Sequence, residues 1–315
     1  MSIKTIWYEI KTVTFLTINE WWNDNIMLHS AGVAFYTIFS LAPMIIIIIS
    51  LAGFMFGEQA IEGHLADAME EVMDREMAET IQSFVASARR QQTGLWQSFI
   101  GLGILLFAST TVIAQLKDSL NNIWAVQPKL EQSTVKRFII DRVLSLILVI
   151  IFASFLAASV IIDAIFAFME PVLDPIIPGG IGFWSFINTV LFVVIITALF
   201  TVIFKLLPDV IIPWRDILIG AFATTLLFLL GRLGIQWYMS GGTVETTYGA
   251  AGSFVIFLIW VYYNIMVIFL GAEFTKVFAT RYGHQVIPAS YATFTPEFTL
   301  TEYRDDTSEE PRGAD

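Results

Sequence analysis

The segment VLSLILVIIFASFLAASVII, residues Val143–Ile162, contains no charged side chain. A helix needs about 20 predominantly apolar residues to cross the hydrocarbon core of a bilayer, so this segment is long enough to span one. Strands of a membrane barrel alternate apolar and polar residues, and runs such as Met44–Ser50 (MIIIIIS) do not alternate. The segment therefore predicts a membrane-spanning α-helix.

Five further stretches of similar length and apolarity surround this one, and together they predict six spans. The composition agrees, because 56% of the residues are hydrophobic, 14% are charged and the mean hydropathy is +0.72. A soluble domain has roughly 25% charged residues. We therefore predict an all-α, polytopic membrane protein. The other five predicted spans are Ala31–Phe56, Leu95–Ala114, Trp184–Phe204, Ile217–Met239 and Gly249–Ala272.

The charge balance and the scarcity of reactive side chains exclude several functions. The net charge is −11, and no basic surface is available to bind nucleic acid. Cysteine is absent, and the three histidines do not have the spacing of metal ligands. No pair of acid and base residues converges on one predicted face. We expect membrane lipids as partners, no nucleic acid, no metal or cofactor, and no enzymatic activity.

The distribution of Lys and Arg predicts the orientation. Thirteen lie in the two terminal segments and the connections on the same side, and only Arg75, Arg89 and Arg90 lie in the connections on the other side. Cytoplasmic loops of membrane proteins are enriched in Lys and Arg. We therefore predict a bacterial cytoplasmic membrane protein with both termini in the cytoplasm.

Three regions are distinguished by composition. Residues 1–28 are predicted to form an amphipathic helix that either lies in the interface or packs under the bundle. Residues 29–282 form the membrane domain, which includes an outward helical loop at 58–92 with an acidic face and an apolar stripe. Residues 283–315 are acidic and are predicted to be a disordered cytoplasmic tail.

Arg232 is the charged residue that lies well inside a predicted span, about 12 Å from the outer boundary at 1.5 Å per residue. A charge in this position is costly, so Arg232 either contacts substrate or forms a structural ion pair. Asp163 is predicted near the outer boundary and is the better ion-pair partner for Arg232, with Glu245 as the alternative. Glu273 is predicted at the opposite boundary.

The first predicted span has a polar face and a proline. Tyr36, Ser40 and Pro43 have i, i+4, i+7 spacing, and Pro43 lacks the backbone donor for the carbonyl of Phe39, so a kink is expected there. Such a face either lines a cavity or stabilises the carbonyls that a kink frees.

The sixth predicted span carries a second polar group in its interior. Tyr263 and Asn264 lie there among apolar residues and are further candidates for a cavity lining.

Three segments carry a resemblance to a known family. DNIMLHSAGVAFYTIFSLAP (Asp24–Pro43), LPDVIIPWRDILIGA (Leu207–Ala221) and YGAAGSFVIFLIWVYYNIMVIFLGAEF (Tyr248–Phe274) resemble the signature segments of the BrkB/YihY-type inner-membrane family. The resemblance implies a six-span protein of the bacterial cytoplasmic membrane. The family also bears a ribonuclease label. A nuclease needs clustered metal-binding groups and a basic groove, which this sequence lacks, so we reject that activity.

Two functions from different classes remain, and a lipid-modifying enzyme is a distant third. The kinked and glycine-interrupted spans and the intramembrane arginine favour a transporter or lipid translocase, with an anionic lipid or envelope component as substrate. The alternative is a non-transporting membrane scaffold that binds envelope machinery through the outward helix at residues 61–88. That helix either caps the bundle from outside or meets a second subunit.

Overall fold

The computed structural model describes residues 3–56, 82, 95–129, 138–155, 158, 180–239, 252–282 and 286–296. Most of these residues are helical, as the continuous apolar runs of the sequence predict. In chain order, the helices are α1 (Ile3–Asn23), α2 (Ile26–Phe56), α3 (Leu95–Ile123), α4 (Phe138–Phe155), α5 (Gly180–Leu206), α6 (Trp214–Met239) and α7 (Gly252–Arg281).

Four helices in the described part of the chain are long and apolar enough to cross a membrane. They correspond to the third, fourth, fifth and sixth predicted spans, and their apolar segments are Phe138–Phe155, Thr189–Leu206, Trp214–Ile235 and Phe254–Arg281. The first and second predicted spans fall within α2 and α3. The total of six spans remains a prediction.

One face of α6 shows why the chain requires lipid around it. Large apolar side chains recur almost every four residues along this face and are between 45% and 65% exposed. A continuous apolar stripe of this length is unusual on a soluble monomer, so it faces lipid. The stripe consists of Leu218, Phe222, Leu226, Leu230 and Leu233.

A second face of α6 packs closely against α7 through glycine and threonine. A Cβ atom added to Gly220 would overlap the Thr275 hydroxyl, and one added to Gly271 would overlap the Thr224 hydroxyl. Each helix thus contributes one G-x-x-x-T pair, and the two pairs face each other antiparallel. Small residues allow membrane helices to approach closely where no hydrophobic effect drives their association.

The central helix is α7, which packs against α1, α2 and α6. Helix α1 is joined to α2 by a short turn in which Asn25 has a φ of 50°. Asparagine adopts this left-handed conformation more readily than most residues. The turn lets α2 begin at Ile26, which is fully buried.

Two short antiparallel pairings at one end of the bundle accompany the predicted helices. Strand β1 (Val126–Pro128) pairs with β4 (Ala292–Phe294), and β2 (Val210–Ile211) pairs with β3 (Ile287–Pro288). Strands β3 and β4 fall within the segment that the sequence assigns to the tail. These strands escape prediction because two or three residues are too few to show a period of two.

Several predicted features lie outside the described residues. These are the outward helical loop at 58–92, apart from residue 82, the remainder of the tail, and Asp163 and Glu245. The domain boundaries therefore remain predictions.

Candidate functional site

Four charged side chains, from α1, the turn that follows it and α7, meet at the end of the bundle where α7 terminates. The Lys276 Nζ lies 2.9 Å from Glu20 Oε2, 3.1 Å from Asp24 Oδ2 and 3.5 Å from Glu273 Oε2. We call these four residues the Lys276 cluster. It connects the first and last described helices through a single ammonium group.

Helical spacing explains why the four side chains converge. Glu20 lies in the last turn of α1, and Asp24 directly follows that helix, with its N–H donating to the Glu20 carbonyl at 2.8 Å. Glu273 and Lys276 are three residues apart on one face of α7. Because α1 packs against α7, the two pairs are brought together. A second contact, 2.9 Å between Arg281 Nε and Glu9 Oε2, joins the same helices nearer the start of α1. This contact holds the pKa of the Glu9 carboxyl below its ordinary value.

Glu273 is the most deeply placed member of the cluster. Its side chain is 0% exposed, and neither of its carboxylate oxygens has a hydrogen-bond partner. Oxygens of Glu20, Asp24 and Glu273 all lie within 4.8 Å of one another, a spacing that would suit a metal ion, but the Lys276 ammonium lies against all three carboxylates. The cluster thus combines three acidic groups with one basic group, and it runs from the fully buried Glu273 to Asp24 and Glu20, whose side chains are 28% and 36% exposed.

A second charged cluster, centred on Lys117, lies where α3, α4 and the connection after α5 meet. The Lys117 Nζ contacts Asp141 at 2.7 Å and Asp209 at 2.9 Å, and its side chain is 6% exposed. Burial lowers the pKa of Lys117, but the hydrogen bonds and charges of the two aspartates outweigh burial and raise it. The ammonium is therefore held in its charged form.

Asp209 connects the Lys117 cluster to the short strands. The Asn121 side chain donates to Asp209 Oδ2 at 2.9 Å, and the Asp209 backbone N–H donates to Asn121 Oδ1 at 2.7 Å. The Tyr291 hydroxyl donates to Asp209 Oδ1 at 3.0 Å, and the Ala289 N–H donates to the Asp209 carbonyl at 2.9 Å. Because the polar groups of Asp209 all have hydrogen-bond partners, this cluster has a structural role and holds residues 286–296 against the bundle.

Arg232 lies on a protein-facing side of α6 rather than on the lipid-facing stripe. It continues the face that meets α5, where the Thr225 and Thr197 hydroxyls are 3.0 Å apart. Its guanidinium carbon is 5.7 Å from the centre of the Phe192 ring. Among the described residues no carboxylate pairs with Arg232, and both predicted partners lie outside them, so the choice between ion pair and substrate contact remains open.

The predicted polar face of α2 is divided between two environments. Ser40 is buried, whereas Tyr36 is 39% exposed and makes an edge contact with the Phe35 ring. Pro43 lies inside the continuous helix α2 and is partly buried. The expected kink and the cavity at this face therefore remain predictions.

The predicted polar pair on α7 serves the helices themselves. The Tyr263 hydroxyl donates to the Leu227 carbonyl at 3.4 Å and lies against Gly231, so its ring fills the space that glycine leaves on α6. The Asn264 side chain donates to the Trp260 carbonyl of its own helix at 2.7 Å. Tyr263 and Arg232 thus flank the same turn of α6 from two sides, but they are not brought into contact.

The Lys276 cluster was not predicted, although two of its members lie in the segments that resemble the family. Asp24 opens the first motif segment and Glu273 lies near the end of the third. Sequence reasoning considered Glu273 only as a partner for Arg232 and rejected it on depth. The i, i+4 and i, i+3 charge pairs at the adjoining ends of α1 and α7 were the available signal.

The comparisons with known proteins identify the family. The family model described as virulence factor BrkB matches residues 17–290, so this chain belongs to that family. A UPF0761 membrane protein of Pseudoalteromonas translucida is 26% identical over 87% of this chain and 91% of its own length. One of Psychromonas ingrahamii is 25% identical over 80% of this chain and 82% of its own length. A relative from Alkalilimnicola ehrlichii is 25% identical, and the match spans 56% of its length. No solved structure matches.

Proposed function

We propose that this membrane protein is a transporter or lipid translocase of the bacterial cytoplasmic membrane. The observation that carries the proposal is Glu273, a fully buried carboxylate without a hydrogen bond in the last apolar helix. Ionisable groups inside membrane bundles are costly and commonly mark the pathways of substrates or ions.

A purely structural ion pair would be built differently. Buried charges that only stabilise a fold are usually paired and hydrogen-bonded, as Asp209 is in the Lys117 cluster. Lys276 is instead shared among three carboxylates, one on α1, one in the turn after it and one on α7, and its contact with Glu273 is the longest of the three. Such a cluster can exchange partners when α1 moves relative to α7, which is the kind of alternative pairing that a transport cycle requires.

The proposed topology has six spans with both termini in the cytoplasm. It rests on the excess of thirteen Lys and Arg in the terminal segments and inner connections over three in the outer ones. In this orientation the Lys276 and Lys117 clusters are cytoplasmic, and Arg232 lies in the outer half of the membrane. An arginine there, facing protein rather than lipid, suits an anionic substrate such as a phospholipid headgroup.

The test is translocation of a labelled anionic phospholipid in liposomes that contain the purified protein. We expect the labelled lipid to exchange between leaflets faster than in empty liposomes. The Lys276→Met variant should show no such increase in the exchange rate. Lys129→Met is the matched control, because Lys129 is exposed and donates to the Ser290 carbonyl outside the cluster. If correctly folded protein moves neither anionic nor zwitterionic lipid, the translocase proposal fails and the scaffold function is favoured.

Arg232 supplies a second arm of the same experiment. Arg232→Ala should abolish translocation while leaving the fold intact if the guanidinium contacts substrate. If Arg232 and Asp163 form a structural pair instead, each single substitution should destabilise the protein and exchange of the two charges should restore it.

A further inference from the structure

The Lys276 cluster has an imbalance of charge that its own side chains do not resolve. Glu20, Asp24 and Glu273 supply three acidic groups against the single ammonium of Lys276. The ammonium lies closer to the Glu20 and Asp24 carboxylates than to Glu273. The buried carboxylate is therefore the group whose charge is least compensated.

The environment of Glu273 makes the uncompensated charge costly. An ionised carboxylate that leaves water needs donors for its oxygens, and both Glu273 oxygens are buried without one. Asp24 and Glu20 place further negative charge next to it. A proton on Glu273 would remove the charge and supply an O–H donor for a neighbouring carboxylate.

We propose that Glu273 is a proton-binding site that is loaded while α1 is docked on α7 and unloaded when the two helices separate. On loading, a hydronium ion transfers its proton to a Glu273 oxygen, an O–H bond forms, and water leaves. The new O–H group donates to Asp24, and the Lys276 ammonium is then shared by Glu20 and Asp24 alone.

A proton suits this site better than a metal ion. Calcium or magnesium would need several oxygen ligands at about 2.0–2.6 Å, arranged around a central position. Lys276 already lies within 3.5 Å of all three carboxylates, so a cation would have to displace the ammonium. A proton binds without displacing any side chain.

The other helices that pack on α7 leave this pairing undisturbed. On α2, His29 is hydrogen-bonded to Asn122 at 2.9 Å, and on α3, Lys117 is held by its two aspartates. On α6, the residues opposite Glu273 run from Gly220 to Thr224 and include no ionisable group. Asp216 lies one turn before Gly220 on α6, so by this register it is beyond the level of Glu273.

The direction of the coupling follows from the charges. Docking of α1 brings two carboxylates towards Glu273 and so favours the protonated form. By reciprocity, protonation favours docking, because it removes repulsion with Asp24 and frees Lys276 for α1. Docking is therefore strongest below the pH at which Glu273 titrates and weakens as the pH rises through it.

This site deepens the proposed function, because the proton would be the coupling ion of the transport cycle. Its test does not depend on transport. The first measurement is infrared spectroscopy of the protein in lipid, during a pH titration in H₂O and D₂O. We expect the C=O stretch of a protonated carboxyl in the wild type, shifted in D₂O and lost at high pH. The band should be missing in Glu273→Gln and retained in Glu9→Gln, which alters the exposed contact between the same helices.

The second measurement follows the distance between α1 and α7. Because the chain has no cysteine, Thr14→Cys and Thr280→Cys introduce two unique spin-label sites at exposed positions. We expect this distance to increase with pH in the wild type and to stay short at every pH in Glu273→Gln. Lys276→Met should give the long distance throughout.

Two results would overturn the proposal. One is a wild-type protein with no exchangeable carboxyl band anywhere between about pH 5 and 10, the range over which buried carboxyls titrate. The other is a band that sodium ions abolish at constant pH, which would make this a metal-cation site. A normal band together with no lipid movement would retain the proton site and reject the transport function.

Discussion

Substitution of Gly271 by alanine tests whether the α6–α7 contact depends on backbone proximity. The new Cβ would overlap the Thr224 hydroxyl and would lie 2.8 Å from the Thr224 Cβ, closer than such atoms pack. Forcing an extra methyl into a packed interface costs about 1–3 kcal/mol. We expect a loss of that size in the free energy of unfolding, measured by tryptophan fluorescence during denaturation in detergent.

Gly234 on α6 provides the matched control. No atom lies within 4 Å of a Cβ added there, so Gly234→Ala should keep the gain of about 0.5–1 kcal/mol that alanine has over glycine in a helix. Adding Thr224→Ala to Gly271→Ala removes the hydroxyl but leaves the two Cβ atoms too close, so we expect partial rescue. Equal stability of the Gly271→Ala and Gly234→Ala variants would refute the close approach of α6 and α7.

Three further predictions concern the Lys117 cluster and its surroundings. Lys117→Met should lower the free energy of unfolding by about 3–5 kcal/mol, because it leaves two aspartates uncompensated, whereas the exposed Lys11→Met should change it by less than about 0.5 kcal/mol. Ala125 has a φ of 50°, so Ala125→Gly should raise thermal stability by about 1 kcal/mol, and a decrease would argue against that conformation. Burial and the adjacent Asp209 raise the pKa of the Tyr291 hydroxyl above its ordinary value. The contribution of the neutral hydroxyl to the free energy of unfolding is therefore complete below about pH 10 and is lost as the pH rises further. Alkaline denaturation should therefore be less steep in Tyr291→Phe than in the wild type.

The membrane-spanning helices were predictable because their signal is local. Twenty apolar residues without a charge specify a span whatever the rest of the chain does, and the apolar segments of α4 to α7 agree with the predicted spans. The sequence also contains part of the information about the α6–α7 contact. The pairs Gly220 with Thr224 and Gly271 with Thr275 can be read from the sequence, but which pair faces which requires the structure.

The charged clusters were hidden because their members are far apart in the chain. Glu20 and Lys276 are separated by 256 residues, and Asn121 and Asp209 by 88. Periodicity shows which face of a helix a charge occupies, but it does not identify the helix that faces it. Arg232 attracted attention because it is alone in an apolar run, whereas Glu273 and Lys276 looked like ordinary boundary charges.

Helix α7 carries contacts near both candidate sites. Its last turns carry Glu273 and Lys276 against α1, and its middle carries Tyr263 against Gly231, one residue before Arg232. Between these points the glycine and threonine contacts fix α7 to α6 with little room for sliding. A movement of α1 relative to α7 is therefore also a movement relative to α6, and Arg232 and Glu273 keep their positions relative to each other. The substrate candidate Arg232 and the proposed proton site Glu273 thus lie on one closely packed pair of helices, with α1 as the part that moves in the proposed cycle.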